Sequence, residues 1–257
     1  MYAILIAGSV PPPDDPLYEY TQGRPKALLE IADKPMAQWV VDALTGAQHV
    51  EGILTVGLRR DDGITSPLME DFLADQGSFL ANLVVAAEYV LEHHPDIRQV
   101  LVCGSDIPLA TPQMIDRFIE QCDDPDAKIH MGTVRRELME DRFPGSERTY
   151  VLLADGEFAA ADLHVVDPRV AYTHQDLWDD LLRLRKDPLK LAWRLGVGLL
   201  VKLLLGRLSL AEARSRIERK LDLKVRHVSV NHPELAMDVD KPFQLEICRR
   251  ALTGVEN

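Results

Sequence analysis

A three-layer α/β/α sandwich around a mixed, mainly parallel sheet is the fold this sequence predicts, and three observations carry the expectation. Apolar runs of strand length alternate with helical patterns through the first half of the chain. Three of those runs, Tyr2–Ala7, Gly52–Val56 and Gln99–Cys103, are nearly continuous in hydrophobic residues, as strands buried on both faces should be. Between them, apolar residues recur at helical spacing, so the connections read as right-handed crossovers between parallel strands.

In chain order, Tyr2–Ala7 ends at Gly8, and Pro11-Pro-Pro-Asp-Asp-Pro16 follows as the one stiff, irregular stretch. Pro35 opens a helix whose Met36, Trp39, Val40, Ala43 and Leu44 share a face, proline being tolerated in a first turn. Gly52–Val56 is the second strand, and Ser78–Leu91 the next helix, carrying Leu80, Leu83, Val84, Ala87 and Leu91. Gln99–Cys103 is the third strand. Thr111-Pro112 then caps and opens another helix. Ile129–Val134, Tyr150–Leu153 and Leu163–Val166 read as strands without intervening helices, so antiparallel members or a small β-layer are expected there. Asp176–Leu221 turns helical, with Pro188 dividing it and Ser209-Leu-Ala-Glu212 forming a capping box. Leu223–Val230 returns as a strand, and Pro242–Leu252 closes as a helix. We read the chain, 1–257, as one domain with a helical insert at about 174–222.

The bulk numbers narrow the function. Hydrophobic residues at 46% supply a sizeable core, whereas a net charge of −12 argues against a nucleic-acid partner, which needs a basic face. Cys103, Cys122 and Cys248 are odd in number and lack metal spacing, as reduced thiols would be. The first apolar run breaks at Gly8 and follows no basic segment, so no signal peptide is read and a cytoplasmic location is expected.

The chemistry concentrates in two fragments. Ala3-Ile-Leu-Ile-Ala-Gly8 leads through a loop to Arg24-Pro-Lys-Ala-Leu-Leu29, and Val100-Leu-Val-Cys103 ends in Gly104-Ser-Asp-Ile-Pro-Leu109. In open α/β sheets ligands bind outside the carboxyl ends of the strands. There, Gly8 allows close backbone approach, and Lys26 and Arg24 offer charge to phosphate. Asp106 offers a carboxylate to Mg²⁺, a cation that prefers oxygen ligands. A plain turn explains Asp106 by itself. Ala236-Met-Asp-Val-Asp-Lys-Pro242 supplies further carboxylates, because alternation puts Asp238 and Asp240 on the same side of an extended segment. Asp240 is otherwise a helix cap. Gly77-Ser78 could present backbone groups to a base or ribose. His93-His94 reads as a solvated helix end, and neither a serine–histidine–acid set nor a glycine-lysine-serine phosphate loop is present.

Leu195-Gly-Val-Gly-Leu-Leu-Val-Lys-Leu-Leu-Leu-Gly206 is strongly apolar but too short to span a bilayer. Leu195–Leu205 is expected to pack against the protein or a second subunit. The alternative is an interfacial helix with Lys186, Lys190, Arg194 and Lys202 toward lipid headgroups. Homodimer or peripheral membrane contact is thus assigned to 187–207.

Taken in order, Ile6-Ala-Gly8, Arg24-Pro-Lys-Ala-Leu28, Asp33-Lys-Pro-Met36, Gly104-Ser-Asp-Ile-Pro108 and Asp238-Val-Asp-Lys-Pro242 resemble the MobA-like nucleotidyltransferase family over nearly the whole chain. That family has the nucleotide-diphospho-sugar transferase, GT-A-like fold. The resemblance implies Mg²⁺-dependent transfer of NMP from an NTP to a small, phosphorylated acceptor, releasing pyrophosphate. It implies catalytic Lys26, Asp106 and Asp240, with the metal on Asp106 and Asp240. Nucleotide contacts would come from Ala7, Gly8, Ser9, Arg24, Lys26, Gly77, Asn82 and Ser105. Arg148 and Asp162 fall on the acceptor side. Three departures set this chain apart. Ser9-Val-Pro-Pro-Pro-Asp-Asp-Pro16 replaces a glycine-rich run and removes N–H donors. Phe158-Ala-Ala-Ala-Asp-Leu163 stands where relatives carry glycine-glycine-asparagine, and compact members lack the helical insert. Acceptor identity is therefore not carried over. Two alternatives remain at this stage: a nucleotide-sugar-dependent glycosyltransferase, against which Gly104-Ser-Asp106 offers one carboxylate rather than a pair, and a non-catalytic nucleotide-binding or membrane-associated protein.

Overall fold

The structure is a computed structural model that describes residues 1–173, 175, 178, 184 and 187–254. Its main sheet runs in the order β10-β7-β9-β6-β1-β4-β5, with β8 paired to β9. The strands are β1 (Tyr2–Ile6), β4 (Gly52–Val56), β5 (Met69–Leu73), β6 (Val100–Gly104), β7 (Ile129–Arg135), β8 (Val151–Leu153), β9 (Gly156–Val166) and β10 (Val225–Ser229). A two-residue hairpin pairs β2 (Glu30–Ile31) with β3 (Lys34–Pro35). β1 lies parallel to both β4 and β6, β4 is parallel to β5, and β10 is parallel to β7. β9 is the exception, antiparallel to β6, β7 and β8. The middle of the chain does supply the antiparallel members, and it does so mainly through one long strand.

Alternation along β1 builds two cores. Ala3 and Leu5 face a large cluster formed with α2 (Met36–Gly46), α4 (Pro112–Gln121) and the C-terminal helix Pro242–Thr253. Ile4 faces a second cluster with Ala86 and Val90 of α3 (Phe79–His93). Helices on both faces of the sheet make the three layers. Ser78 caps α3 by accepting the Ala81 N–H, and Thr111 caps α4 by accepting from Met114. α1 (Tyr18–Thr21) is a single turn held by buried Leu17 and Thr21, and α5 (Arg136–Arg142) follows β7 directly.

The region expected as helical insert contains α6 (Pro188–Leu195), α7 (Val197–Leu204) and α8 (Leu210–Leu221). Ser209 and Glu212 close the expected capping box. Most of 174–186, Lys186 included, lies outside the described residues. The expectation that Leu195–Leu205 packs inward holds for one face only. Leu199 and Leu203 rest on Leu153, Phe158 and Leu208, whereas Val197, Val201, Leu204 and Leu205 are exposed. No helix among the described residues is long and apolar enough to cross a membrane. The last helix, α9, is the Pro242–Thr253 helix named above.

Candidate active site

β1 and β6 end side by side, because Ser105 donates its N–H to the Ile6 carbonyl and Ala7 donates to Val56. Beyond those ends lies a cavity of about 600 Å³. Ala7, Gly8, Ser9, Lys26, Ser105 and Asp106 all line it, as do Gly77 and Asn82 from the start of α3. Thus residues from both sequence fragments meet at one place.

Lys26 begins a short 3₁₀ turn, Lys26–Leu28, and its backbone N–H bonds the Ser9 carbonyl at 2.8 Å. The proline-rich excursion therefore starts and ends at one hydrogen bond. The Lys26 side chain is buried, with Nζ 2.7 Å from Asp106 Oδ2 and 2.8 Å from Asp240 Oδ1. Burial works against its ammonium, but Asp106 and then Asp240 more than reverse that effect. The lysine is held charged above its ordinary range.

The segment carrying Asp238 and Asp240 is pinned beside Asp106 by the Val239 N–H, which donates to the Asp106 carbonyl at 3.0 Å. Buried Val239 points inward and the flanking aspartates point to the cavity, as alternation requires. Asp240 does not act as a helix cap. Lys241 occupies the cap position, and Gln244 reaches back to accept the Asp240 N–H at 2.9 Å. Asp106, Asp238 and Asp240 each bring an oxygen within 4.8 Å of the others. Asp238, expected only to share a side with Asp240, is thus a third member of the cluster.

Arg148 lies against Asp238 and 3.7 Å from Asp162. Like Arg24 it is not among the residues lining the cavity, whereas Asp162 and His164 reach it from alternate positions of β9. Arg24 is exposed and is not among the lining residues; its loop turns outward at Gln22 and Gly23, both with positive φ. Asn82 is buried and committed: its amide donates to Asp75 at 2.7 Å and its carbonyl accepts the Gln76 N–H at 2.7 Å. It shapes the loop before α3 and lines the cavity from there.

Sequence reasoning missed Asp75. A Cβ placed on Gly8 would stand 2.3 Å from Asp75 Oδ1, so the glycine makes room for this carboxylate. The available signal was an acidic residue just past a strand, but β5 itself went unread. Beneath the site, burial pushes the Cys103 thiol up, with Asp162 and Asp106 adding to the effect. Buried Cys248 is pushed to about 12 for the same leading reason.

Among the described residues five carboxylates line the cavity (Asp75, Asp106, Asp162, Asp238, Asp240), with Lys26 as the one lysine or arginine beside them. A polyphosphate would be repelled by that set unless a cation entered with it. Clustered hard oxygens are the donors Mg²⁺ takes, with water completing its shell. The N-terminus of α3 adds a partial positive end on the Gly77–Ser78 side, favourable to anionic groups.

The family model for the MobA-like NTP transferase domain matches residues 21–195. A solved hypothetical transferase from Thermus thermophilus is 34% identical, with a TM-score of 0.79, covering 95% of this chain and 98% of that one. The structure of CMP:2-keto-3-deoxy-manno-octonic acid synthetase complexed with CTP superposes with a TM-score of 0.58 at 14% identity, covering 98% of each chain, and so shares the fold. The bifunctional enzyme IspD/IspF of Sphingopyxis alaskensis is 32% identical over 119 residues, 46% of this chain. The match spans 30% of that relative's length.

Proposed function

This chain belongs to the MobA-like NTP transferase family, and on that premise we propose that it is a Mg²⁺-dependent nucleotidyltransferase. It moves NMP from an NTP to a small, phosphorylated acceptor and releases pyrophosphate. The observation that carries this reading is the Asp106–Asp238–Asp240 cluster, clamped by Lys26, at the carboxyl ends of β1 and β6.

Asp106 and Asp240, with Asp238 alongside, would hold the metal. When bound, Mg²⁺ supplies charge neutralisation and polarises the α-phosphate. Lys26 contributes a permanent positive charge that its carboxylate neighbours keep protonated at any physiological pH. Gly77 and Ser78 at the α3 N-terminus would face the nucleotide, and Asp75 would accept hydrogen bonds from its ribose or base. Arg148, braced between Asp238 and Asp162 just behind the lining, would supply positive charge for a phosphorylated acceptor. If the nucleophile is already a phosphate oxygen, no strong protein base is required. The residues' task is then positioning and charge neutralisation.

A thermal-shift screen of the four NTPs with Mg²⁺, followed by pyrophosphate release with phosphorylated acceptors, tests this. A ligand at 100 times its dissociation constant stabilises by roughly 2.7 kcal/mol, which shifts the melting curve visibly. Asp106→Ala should melt as a folded protein and lose turnover by about a thousandfold, since it removes a metal ligand. Wild-type turnover in Asp106→Ala, or no stabilisation by any of the four nucleotides, would refute the assignment.

A further inference from the structure

The outward face of α6 and α7 is not accounted for by the nucleotide site. Leu189, Trp193, Val197, Val201, Leu204 and Leu205 are each 48% to 65% exposed. Leu189 and Trp193 stand one turn apart on α6, and Val197, Val201 and Leu204–Leu205 follow at turn spacing along α7 and its end, so each helix carries its own outward apolar edge on either side of Gly196. The opposite face is already satisfied, with Leu199 and Leu203 packed on Leu153 and Phe158 of the β8–β9 hairpin. Six large exposed apolar side chains within residues 189–205 are the kind of surface that marks a docking site.

Charge decides the occupant. Residues 187–207 hold Lys190, Arg194, Lys202 and Arg207 against Asp187, a balance of +3, with Lys190 paired to Asp187 and Lys202 to Glu212 of α8. The whole chain is −12, so the remainder is −15. A basic, apolar segment has been set into an acidic protein. In a two-fold dimer built on this face the same patch would meet itself, bringing each set of cations against its copy. An anionic bilayer meets both properties: the acyl boundary takes the apolar stripe, the headgroups take the bases, and Trp193 suits the interface.

We propose that the outward face of α6 and α7 seats this protein on an anionic lipid surface. Binding is peripheral and reversible, because two short helices bury far less than a spanning segment. It also places the cavity near the lipid. The hairpin on which α7 rests continues through β9 to Asp162 and His164, and from Phe158 to Asp162 is about 13 Å at a strand rise of roughly 3.3 Å per residue.

The test uses the full chain and sucrose-loaded vesicles of phosphatidylcholine with or without phosphatidylglycerol. Sedimentation with the anionic vesicles is expected, weakening as salt is raised, and brominated lipid should quench Trp193 in wild type but not in Trp193→Phe. Trp193→Glu with Leu204→Glu should abolish sedimentation while leaving the melting curve intact, since both side chains are exposed. Lys190→Gln and Arg207→Gln should each reduce partition by about fivefold. Failure to bind anionic vesicles, or undiminished binding by the double glutamate variant, overturns the proposal. So does a concentration-dependent dimer dispersed by that variant in a protein that ignores lipid. None of these outcomes depends on the nucleotide reading.

Discussion

Replacing Lys26 with methionine keeps the side chain's bulk and deletes its charge, leaving three carboxylates facing one another. Their oxygens lie no more than 4.8 Å apart. At an effective dielectric of about 20, each pair of unit charges at that distance repels by about 3 kcal/mol. The Asp106 and Asp240 side chains retain 21% and 31% exposure, so water screens part of this. A net loss of about 2 kcal/mol at neutral pH is the expected result, between the ~1 kcal/mol of an exposed pair and the ~3–5 kcal/mol for removing one partner of a buried one. The loss has a pH signature. In wild type, the lysine's contribution is present below the ordinary lysine value and disappears only as pH rises through its raised one. Mg²⁺ provides the second half of the experiment, since the variant has no ammonium competing for Asp106 and Asp240. Urea denaturation with and without the metal should show it binding the variant about tenfold more tightly, a difference near 1.4 kcal/mol, even as pyrophosphate release is lost. Equal stability without metal, or metal binding no tighter than in wild type, would refute this account of the clamp.

Three other perturbations follow, two from close contacts and one from a surface cluster. A Cβ at Gly57, where φ is +99°, would lie 2.2 Å from the Gly8 backbone, so Gly57→Ala should cost about 3 kcal/mol in a chemical melt through overpacking and strain. Gly8→Ala meets the Asp75 side chain first; it should melt near wild type, within about 1 kcal/mol, yet weaken nucleotide binding by calorimetry as Asp75 is pushed from Asn82. Asp124 bonds Lys224 and Arg226, and chiefly the Lys224 contact holds its carboxyl down at about 2 from an ordinary 3.8. Its contribution is present above 3.8 and lost as pH falls toward about 2, so Asp124→Asn should flatten that part of the acid-unfolding curve. An unchanged slope would show that the cluster is not coupled to folding.

The parts of the fold legible in the sequence are those with an undiluted period. β1, β4 and β6 are buried on both faces, and their apolar runs announce them within a residue or two. β5 is different. Met69-Glu-Asp-Phe-Leu73 is an edge strand, half-buried throughout and broken by two acids, so no apolar run marks it. Missing β5 also hid Asp75, which follows it. α5 is short and mostly charged, too little chain for a helical period to register. Within the site, Asp106 was visible because a polar residue ends an apolar strand, and the Asp238–Asp240 pair because alternation is a local property. Arg148 packing between Asp162 and Asp238 depends on the meeting of distant segments, which no local pattern encodes. The same limit applied to α7. It is apolar on nearly every side, and periodicity cannot choose the packed face when there is no polar face to oppose it.

The hydrogen bond from Lys26 N–H to the Ser9 carbonyl separates two kinds of change that mutation could make to this protein. Residues 10–25 form a closed detour, entered and left at one point, with Leu17 and Thr21 as anchors of their own. Lengthening or shortening the detour leaves its endpoints where they are, and closure entropy rises only slowly with loop length. The ammonium between Asp106 and Asp240 is thus insulated from the segment that precedes it. Such a loop can diversify toward new ligands or partners at one rim of the cavity, under separate selection from the charge arrangement at its floor.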